Sequence, residues 1–482
     1  MERDHRRFQW RNPCRIALLA SVMSAATVLS NPVGWAQDNL LAAEELQSVV
    51  QRVGTLLSEH YVSADVGINT SVGLTELLRE GAFDRVTDRE ALAQRLTDEL
   101  RAATSDEHLL VRLRYKQAAE EKPMAAAPEH PVRMFARRLD RARQANFGFE
   151  KLEHFEGNVG YVDFRSFAGG PEARETASAA MSFLAYSDAI IFDMRENGGG
   201  DPYMVQFICS YLFDEPTHLN SLYWRRNERT DEFWTLDDVP GVKMPDVPVF
   251  VLTSARTFSG AEEFSYNLQT QKRATLVGEA TRGGANPGNL FAINDDIEIF
   301  IPVGRAINPV TGTNWEGVGV VPQVAVPADE ALDTALELAR SAADTFRVTK
   351  EQRWTSFAEA HAVALQLAED GRADDAVSEF SATLARAFDA GMFDEMGITV
   401  IGYEFLMAEH HALAIATFKF HVQRSPGSFK AHDSLGEAYM AADRNELAVY
   451  HYERSLELNP GNQRARDQLN ELRGRSSSDI TP

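Results

Sequence analysis

Val247-Pro248-Val249-Phe250-Val251-Leu252-Thr253-Ser254-Ala255-Arg256-Thr257-Phe258-Ser259-Gly260-Ala261-Glu262-Glu263-Phe264 decides how this chain is read. An apolar run of strand length ends at Leu252, a short loop follows, and a helical pattern begins at Ser259. A hydroxyl on the first turn of a helix lies among backbone N–H groups without intrahelical partners, at the positive end of the helix dipole. Such donors stabilise the oxyanion formed when a serine attacks an amide carbonyl. The structural alternative is that Ser259 is simply an N-cap, a position serine favours.

The pattern repeats on both sides. Strand candidates at Val159–Phe164, Ala189–Met194 and Ala274–Val277 alternate with helical stretches at about 171–185, 202–213 and 259–271. Strand–helix alternation predicts an α/β sheet with parallel neighbours, and sites in such sheets form where loops leave the carboxyl ends of strands. A second strand runs out into Asp193-Met194-Arg195-Glu196-Asn197-Gly198-Gly199-Gly200-Asp201, where glycines let backbone approach a substrate and point N–H groups at it. A third segment, Thr104-Ser105-Asp106-Glu107-His108, offers an imidazole, although His108 is one of 12 histidines. A serine hydroxyl needs a base beside it. A fourth, Asn314-Trp315-Glu316-Gly317-Val318-Gly319-Val320-Val321-Pro322, offers a carboxylate that would orient that base; alone, Glu316 reads first as a surface turn residue.

Taken in order, the run Thr257–Phe264, the Asp-x-Arg-x-Asn-Gly-Gly loop, the Gly278-Glu279 turn and the Trp-Glu-Gly-x-Gly-x-x-Pro stretch resemble the tail-specific (C-terminal-processing) protease family. The resemblance covers roughly residues 40–330 and is closer to the branch without a PDZ domain, which includes the tricorn catalytic domain and the repeats of interphotoreceptor retinoid-binding protein. It implies a crotonase-like α/β core with a helical N-terminal cap and serine-dependent peptide hydrolysis. It also implies Ser259 as nucleophile, His108 as base and Glu316 as its acidic support. The amide of Gly260 and one from the Gly198, Gly199, Gly200 loop would form the oxyanion hole.

The chain departs from the family in three ways. The lysine-based branch carries its base in a Gly-Lys-Gly setting; here Arg282-Gly283-Gly284-Ala285 has no lysine. Glu107, not serine, precedes the histidine. The interval from His108 to Tyr161 is too short for a PDZ domain. The missing lysine fits a non-catalytic apolar-ligand binder on the same fold as well, and a third reading is a scaffold in which the C-terminal repeats dominate and the sheet domain is inert.

The two ends of the chain have their own signatures. Arg3, Arg6, Arg7, Arg11 and Arg15 precede an apolar run of about 14 residues and the small-residue site Gly34-Trp35-Ala36, which predicts an export signal over 1–36 and a periplasmic or secreted protein. An uncleaved anchor is the alternative. No integral membrane segment is expected after cleavage. From about 350 the pattern is helical and repeats: Gly402, Phe405, Ala414, Phe418 and Pro426 recur 34 residues later as Gly436, Tyr439, Ala448, Tyr452 and Pro460. That period predicts an all-α tetratricopeptide-type solenoid over 350–475, with a weaker unit at Ala376 and Phe380, and a protein partner for it. The remaining divisions expected are a helical cap at 37–115, a connecting segment at 116–148 and the α/β domain at 149–335.

Composition narrows the partners. A formal net charge of −23 argues against non-specific nucleic-acid or anionic-membrane binding and identifies no substrate; a peptide or protein substrate is what the family resemblance implies. Of two cysteines, Cys14 falls in the signal, and Cys209 reads as a buried small hydrophobe. No cofactor or metal is expected: His410 and His411 are helix neighbours that point in different directions.

Overall fold

The computed structural model describes residues 41–114 and 131–478. The expected export signal and Cys14 lie outside them, as does part of the expected connecting segment. The described part of that segment is helical, with a helix at Pro131–Gln144 and a single turn at Asn146–Gly148. No helix among the described residues is long and apolar enough to cross a membrane.

The chain divides into two compact units. The first comprises the helices Ala43–His60, Ala64–Arg79 and Arg89–Thr104 and a three-stranded antiparallel sheet. In that sheet Leu110–Leu113 pairs with Ile297–Pro302, which pairs with Gly288–Ala292. Apolar residues spaced three and four apart on the first helix (Val49, Val53, Leu56, Leu57) pack with Leu92, Leu96 and Leu100 of the third and with Ile297, Ile299 and Ile301. The cap expected to be helical over 37–115 therefore ends in a strand: its last helix stops at Thr104, and a strand runs from Leu110 to Leu113. Leu110 starts a strand because its partner, about 190 residues later in sequence, supplies the ladder.

The second unit is built on a six-stranded sheet. Its order is Val324–Ala325, Ala274–Gly278, Val249–Thr253, Ala189–Asp193, Val159–Phe164 and Phe149–Phe155, parallel except for the last edge strand. Both faces are covered, which is why the strands read as continuous apolar runs. Ile190, Phe192, Val249 and Val251 face the helices Pro171–Leu184, Pro202–Ser210 and Gly260–Thr270. Ala189, Ile191, Phe250 and Leu252 face Ala331, Ala335, Ala339 and Ala343, alanines at every fourth position of the helix Ala331–Glu369. Small side chains on one stripe let that helix lie close against the sheet. Cys209 is fully buried in the first of these cores, and burial pushes its thiol pKa well up, as a small hydrophobe requires.

The interval between the expected domains, 336–349, is the interior of this one helix, which contains neither glycine nor proline. At 39 residues it is about 58 Å long. Its distal half carries Phe357 and Ala364 into a separate core shared with six further helices, Ala373–Asp389 to Gln463–Ser478. There Gly402 lies against the Phe418 ring and Gly436 against the Tyr452 ring, each glycine admitting the aromatic of the following helix. Ala364, 38 residues before Gly402, is the corresponding small residue of the preceding pair, where sequence spacing gave only Ala376 and Phe380.

Candidate active site

Ser259 joins the strand Val249–Thr253 to the helix Gly260–Thr270. Its backbone sits at φ 53°, ψ −120°. An ordinary N-cap is extended with negative φ, so capping alone does not explain this geometry. A non-glycine residue held there costs about 1–3 kcal/mol, which the surroundings must offset. They do so by stitching two loops together. The Ser254 hydroxyl donates to the Arg195 carbonyl at 2.6 Å, the Thr257 hydroxyl to the Met194 carbonyl at 2.8 Å, and the Phe258 N–H to the Asn197 carbonyl at 3.0 Å. The serine is half-buried at the end of this assembly.

The loop after Ala189–Asp193 is equally fixed. Arg195 grips Asp193 with two N–H groups at 2.9 and 2.6 Å, and the Tyr161 hydroxyl donates to the same carboxylate at 2.8 Å. Fully buried Asn197 donates to the Phe164 carbonyl and accepts the Gly199 N–H, both at 2.8 Å. That bond engages the Gly199 amide inside the loop, so Gly198 and Gly200 are the loop donors left to consider. Gly199, at φ 93°, packs so closely that an added Cβ would lie 2.5 Å from the Gly260 nitrogen and 2.8 Å from the Ser259 Cβ. An added Cβ on Gly198 would meet nothing within 4 Å. Gly260 opens its helix, where first-turn amides lack intrahelical carbonyls. The structure thus brings Ser259, Gly260 and the glycine loop together.

Beyond the serine, Glu262 organises the turn that follows the strand Ala274–Gly278. It is fully buried, accepts the Ser259 and Gly284 N–H groups on Oε2 at 2.8 and 2.9 Å, and accepts the Gly283 N–H on Oε1 at 2.6 Å together with the Thr281 hydroxyl. Burial pushes its pKa up from the ordinary carboxylate value, while these four donors favour the charged form. This is the turn where a lysine would stand in the other branch of the family. Here Arg282 lies over the Phe258 ring at 5.1 Å. Glu316 borders the same turn: its Oε2 accepts the N–H groups of Ala285 at 2.6 Å and Asn286 at 3.0 Å, and buried Trp315 donates to the Gly284 carbonyl at 2.8 Å.

His108 belongs to the first unit. It follows Ser105, which ends its helix in the left-handed region at φ 56°. The His108 N–H donates to Asp106 Oδ1 at 3.0 Å, and its ring stacks on Phe300 at 6.0 Å. Asp106 is 1% exposed and also accepts the Tyr61 hydroxyl at 3.0 Å. Asp106, rather than Ser105 or Glu107, therefore holds the turn that carries the imidazole.

Three residues were not singled out from sequence: Asp106, Glu262 and Glu263. Glu262 had a signal, since Ser-x-x-Glu at a helix start is the capping-box pattern, and its carboxylate does return to the Ser259 N–H. Asp106 and Glu263 had none, because an acidic residue is identified as buried only when its neighbours are known.

Residues 158–326 match the family model described as Peptidase family S41, and residues 35–142 match that of the N-terminal domain of Peptidase S41 in eukaryotic IRBP. A carboxyl-terminal-processing protease of Picosynechococcus is 26% identical over 182 residues, covering 38% of this chain and 42% of that protein. One from Synechocystis is 28% identical over 194 residues, covering 38% and 44%. The chain thus spans less than half the length of these curated relatives. Among solved structures, a putative peptidase from Parabacteroides merdae aligns with TM-score 0.44 and 17% identity, over 62% of this chain and 97% of that one.

Proposed function

Because the chain belongs to peptidase family S41 through residues 158–326, we propose that it is a serine peptidase whose nucleophile is Ser259. One observation carries the assignment: Ser259 is held at positive φ on a strand-to-helix turn, with the glycine loop packed against its Cβ and against the Gly260 amide. Strain of this kind persists where surrounding structure over-determines it, and it projects a hydroxyl at a helix's positive end.

In this reading His108 takes the Ser259 proton and the serine oxygen bonds to a peptide carbonyl carbon. The resulting oxyanion accepts N–H groups from Gly260 and from Gly198 or Gly200. The C–N bond then breaks, the amine leaves with the proton returned by His108, and an ester remains on Ser259. Water, deprotonated by the same imidazole, cleaves the ester and restores the hydroxyl. Glu316 orients the base. The two amides on its Oε2 fix this carboxylate beside the turn at 283–286.

The α/β unit is read as crotonase-like, and the helices from Ala373 onward as a tetratricopeptide-type solenoid that recruits a protein partner. The 34-residue recurrence of Gly402/Phe418 and Gly436/Tyr452 contacts supports the latter. Export rests on the basic and apolar pattern of residues 1–36.

The test is a serine-directed phosphonate followed by mass spectrometry. Labelling is expected on Ser259 and is abolished in Ser259→Ala. In His108→Ala the labelling rate falls at least about a hundredfold, the usual contribution of a general base. Unchanged labelling in Ser259→Ala removes the nucleophile from its role, and an unchanged rate in His108→Ala removes the base.

A further inference from the structure

We infer that Arg195 is a positioning residue for the Ser259 chemistry, setting the serine loop against the long helix Ala331–Glu369 through a closed ring of hydrogen bonds. The inference rests on the peptidase reading above. The Arg195 carbonyl accepts the Ser254 hydroxyl at 2.6 Å. Its backbone N–H and Nε donate to Asp193 Oδ1 at 3.1 and 2.9 Å, its Nη2 to Asp193 Oδ2 at 2.6 Å, and its Nη1 to the Ala328 carbonyl at 2.7 Å. Ala328 stands just before the helix that opens at Ala331. Its N–H donates to Glu279 Oε1 at 3.2 Å, and the Glu279 carbonyl accepts the Thr253 hydroxyl at 2.8 Å. Thr253 adjoins Ser254, so the circuit closes. It joins the carboxyl ends of the strands Ala189–Asp193, Val249–Thr253 and Ala274–Gly278 to the segment that opens the helix. Arg195, Ser254, Glu279 and Ala328 line a cavity of about 610 Å³ between them.

The ring depends on the shape of a guanidinium. The group is planar and carries its N–H donors in a fixed fork, so one edge takes both oxygens of Asp193 and Nη1 is left for the Ala328 carbonyl. An ammonium on a flexible stem has no such fork. Asp193 is 4% exposed and also accepts the Tyr161 hydroxyl at 2.8 Å, which anchors the pair on the sheet. The two charges of the pair oppose one another, so its effect on Ser259 is one of placement rather than of charge.

The helix gives the ring its reference on the other side. Alanines of its proximal half pack on Ile191 and Leu252, one from each of the two strands whose loops meet at Ser259. It has neither glycine nor proline at which to kink, so a shift of its distal half, held in the second core, reaches Ala328. Ala328 then carries Arg195, and with it the Met194–Asn197 turn to which Ser254, Thr257 and Phe258 are bonded. A misplacement of about 1 Å at the reacting groups costs on the order of a hundredfold in rate.

Phosphonate labelling resolved into inhibitor binding (KI) and the rate constant of bond formation (kinact) tests this. Arg195→Lys keeps the charge and loses the fork; kinact is expected to fall at least about tenfold while KI stays within about twofold. Glu279 is exposed, so Glu279→Ala opens the ring without disturbing a core, and the same split is expected of it. This second variant keeps the test open should Arg195→Lys fold poorly. Ala364→Leu crowds the distal core of the long helix, and is expected to lower kinact in the wild type but no further in Glu279→Ala. An unchanged kinact in both ring variants, or an Ala364→Leu effect that adds in full to that of Glu279→Ala, overturns the inference alone. Absence of labelling in the wild type overturns the peptidase reading and, with it, this role.

Discussion

The carboxylate of Glu262 accepts the backbone N–H of Ser259 at 2.8 Å, and the same side chain takes the amides of Gly283 and Gly284. One buried group thus holds the strained serine and fixes the turn in which the other branch of the family carries its lysine. In this chain the turn is filled by a carboxylate and its donors, and the base is sought elsewhere.

Removing that group exposes its worth. Glu262→Ala leaves three amides and a hydroxyl without their buried acceptor. A loss of about 3 kcal/mol is expected, in line with breaking a buried charged interaction. Denaturant unfolding measures it, and Ser259 labelling is lost together with the turn.

The glycine loop gives a paired prediction. Gly199→Ala forces a Cβ to within 2.5 Å of the Gly260 nitrogen from a backbone at φ 93°, and labelling of Ser259 is expected to be abolished. Gly198→Ala meets nothing within 4 Å and retains its N–H, so its labelling rate is expected to stay within about threefold of wild type. Equal loss in both variants contradicts the packing described here.

Glu263 makes stability depend on pH. Its carboxyl titrates near about 7 in the fold against an ordinary value of 4.5, so the folded chain binds the extra proton between these limits. Stability therefore falls as pH rises from about 4.5 through about 7 and is level above. Glu263→Gln does not titrate. Its stability relative to wild type is expected to improve from pH 5 to pH 8, by up to about 3 kcal/mol. Chemical denaturation at the two pH values reads the difference; a difference that does not change with pH places the titration elsewhere.

The helical region distinguishes its two glycines. An added Cβ at Gly402 would lie 2.3 Å from the Phe418 ring, whereas at Gly436 it would lie 3.0 Å from that of Tyr452. Gly402→Ala is expected to cost about 2 kcal/mol by overpacking, and Gly436→Ala to be nearly neutral because improved helix propensity offsets the tighter contact. Thermal unfolding ranks them.

Much of this was legible in the sequence. The strands Ala189–Asp193 and Val249–Thr253 announce themselves because both of their faces are buried, leaving unbroken apolar runs. The helix beginning beside Ser259 and the glycine loop are local features, set by turn chemistry over a few residues. The hairpin Gly288–Pro302 was not legible as part of the first unit, since its isoleucines gain a core only by pairing with a strand near residue 110. Nor was the continuity of Ala331–Glu369, whose two halves carry different faces for different cores.

The chain's local patterning determined where a serine, a histidine and a carboxylate stand relative to strands, turns and helices, because periodicity and turn preference act over short spans. The tertiary structure alone decided that Ser259 is strained, that Gly199 gives its amide to Asn197, and that Glu262 and Glu263, adjacent in sequence, meet opposite environments. Successive helix positions differ by about 100°, so one carboxylate meets four donors while its neighbour is buried near two asparagines.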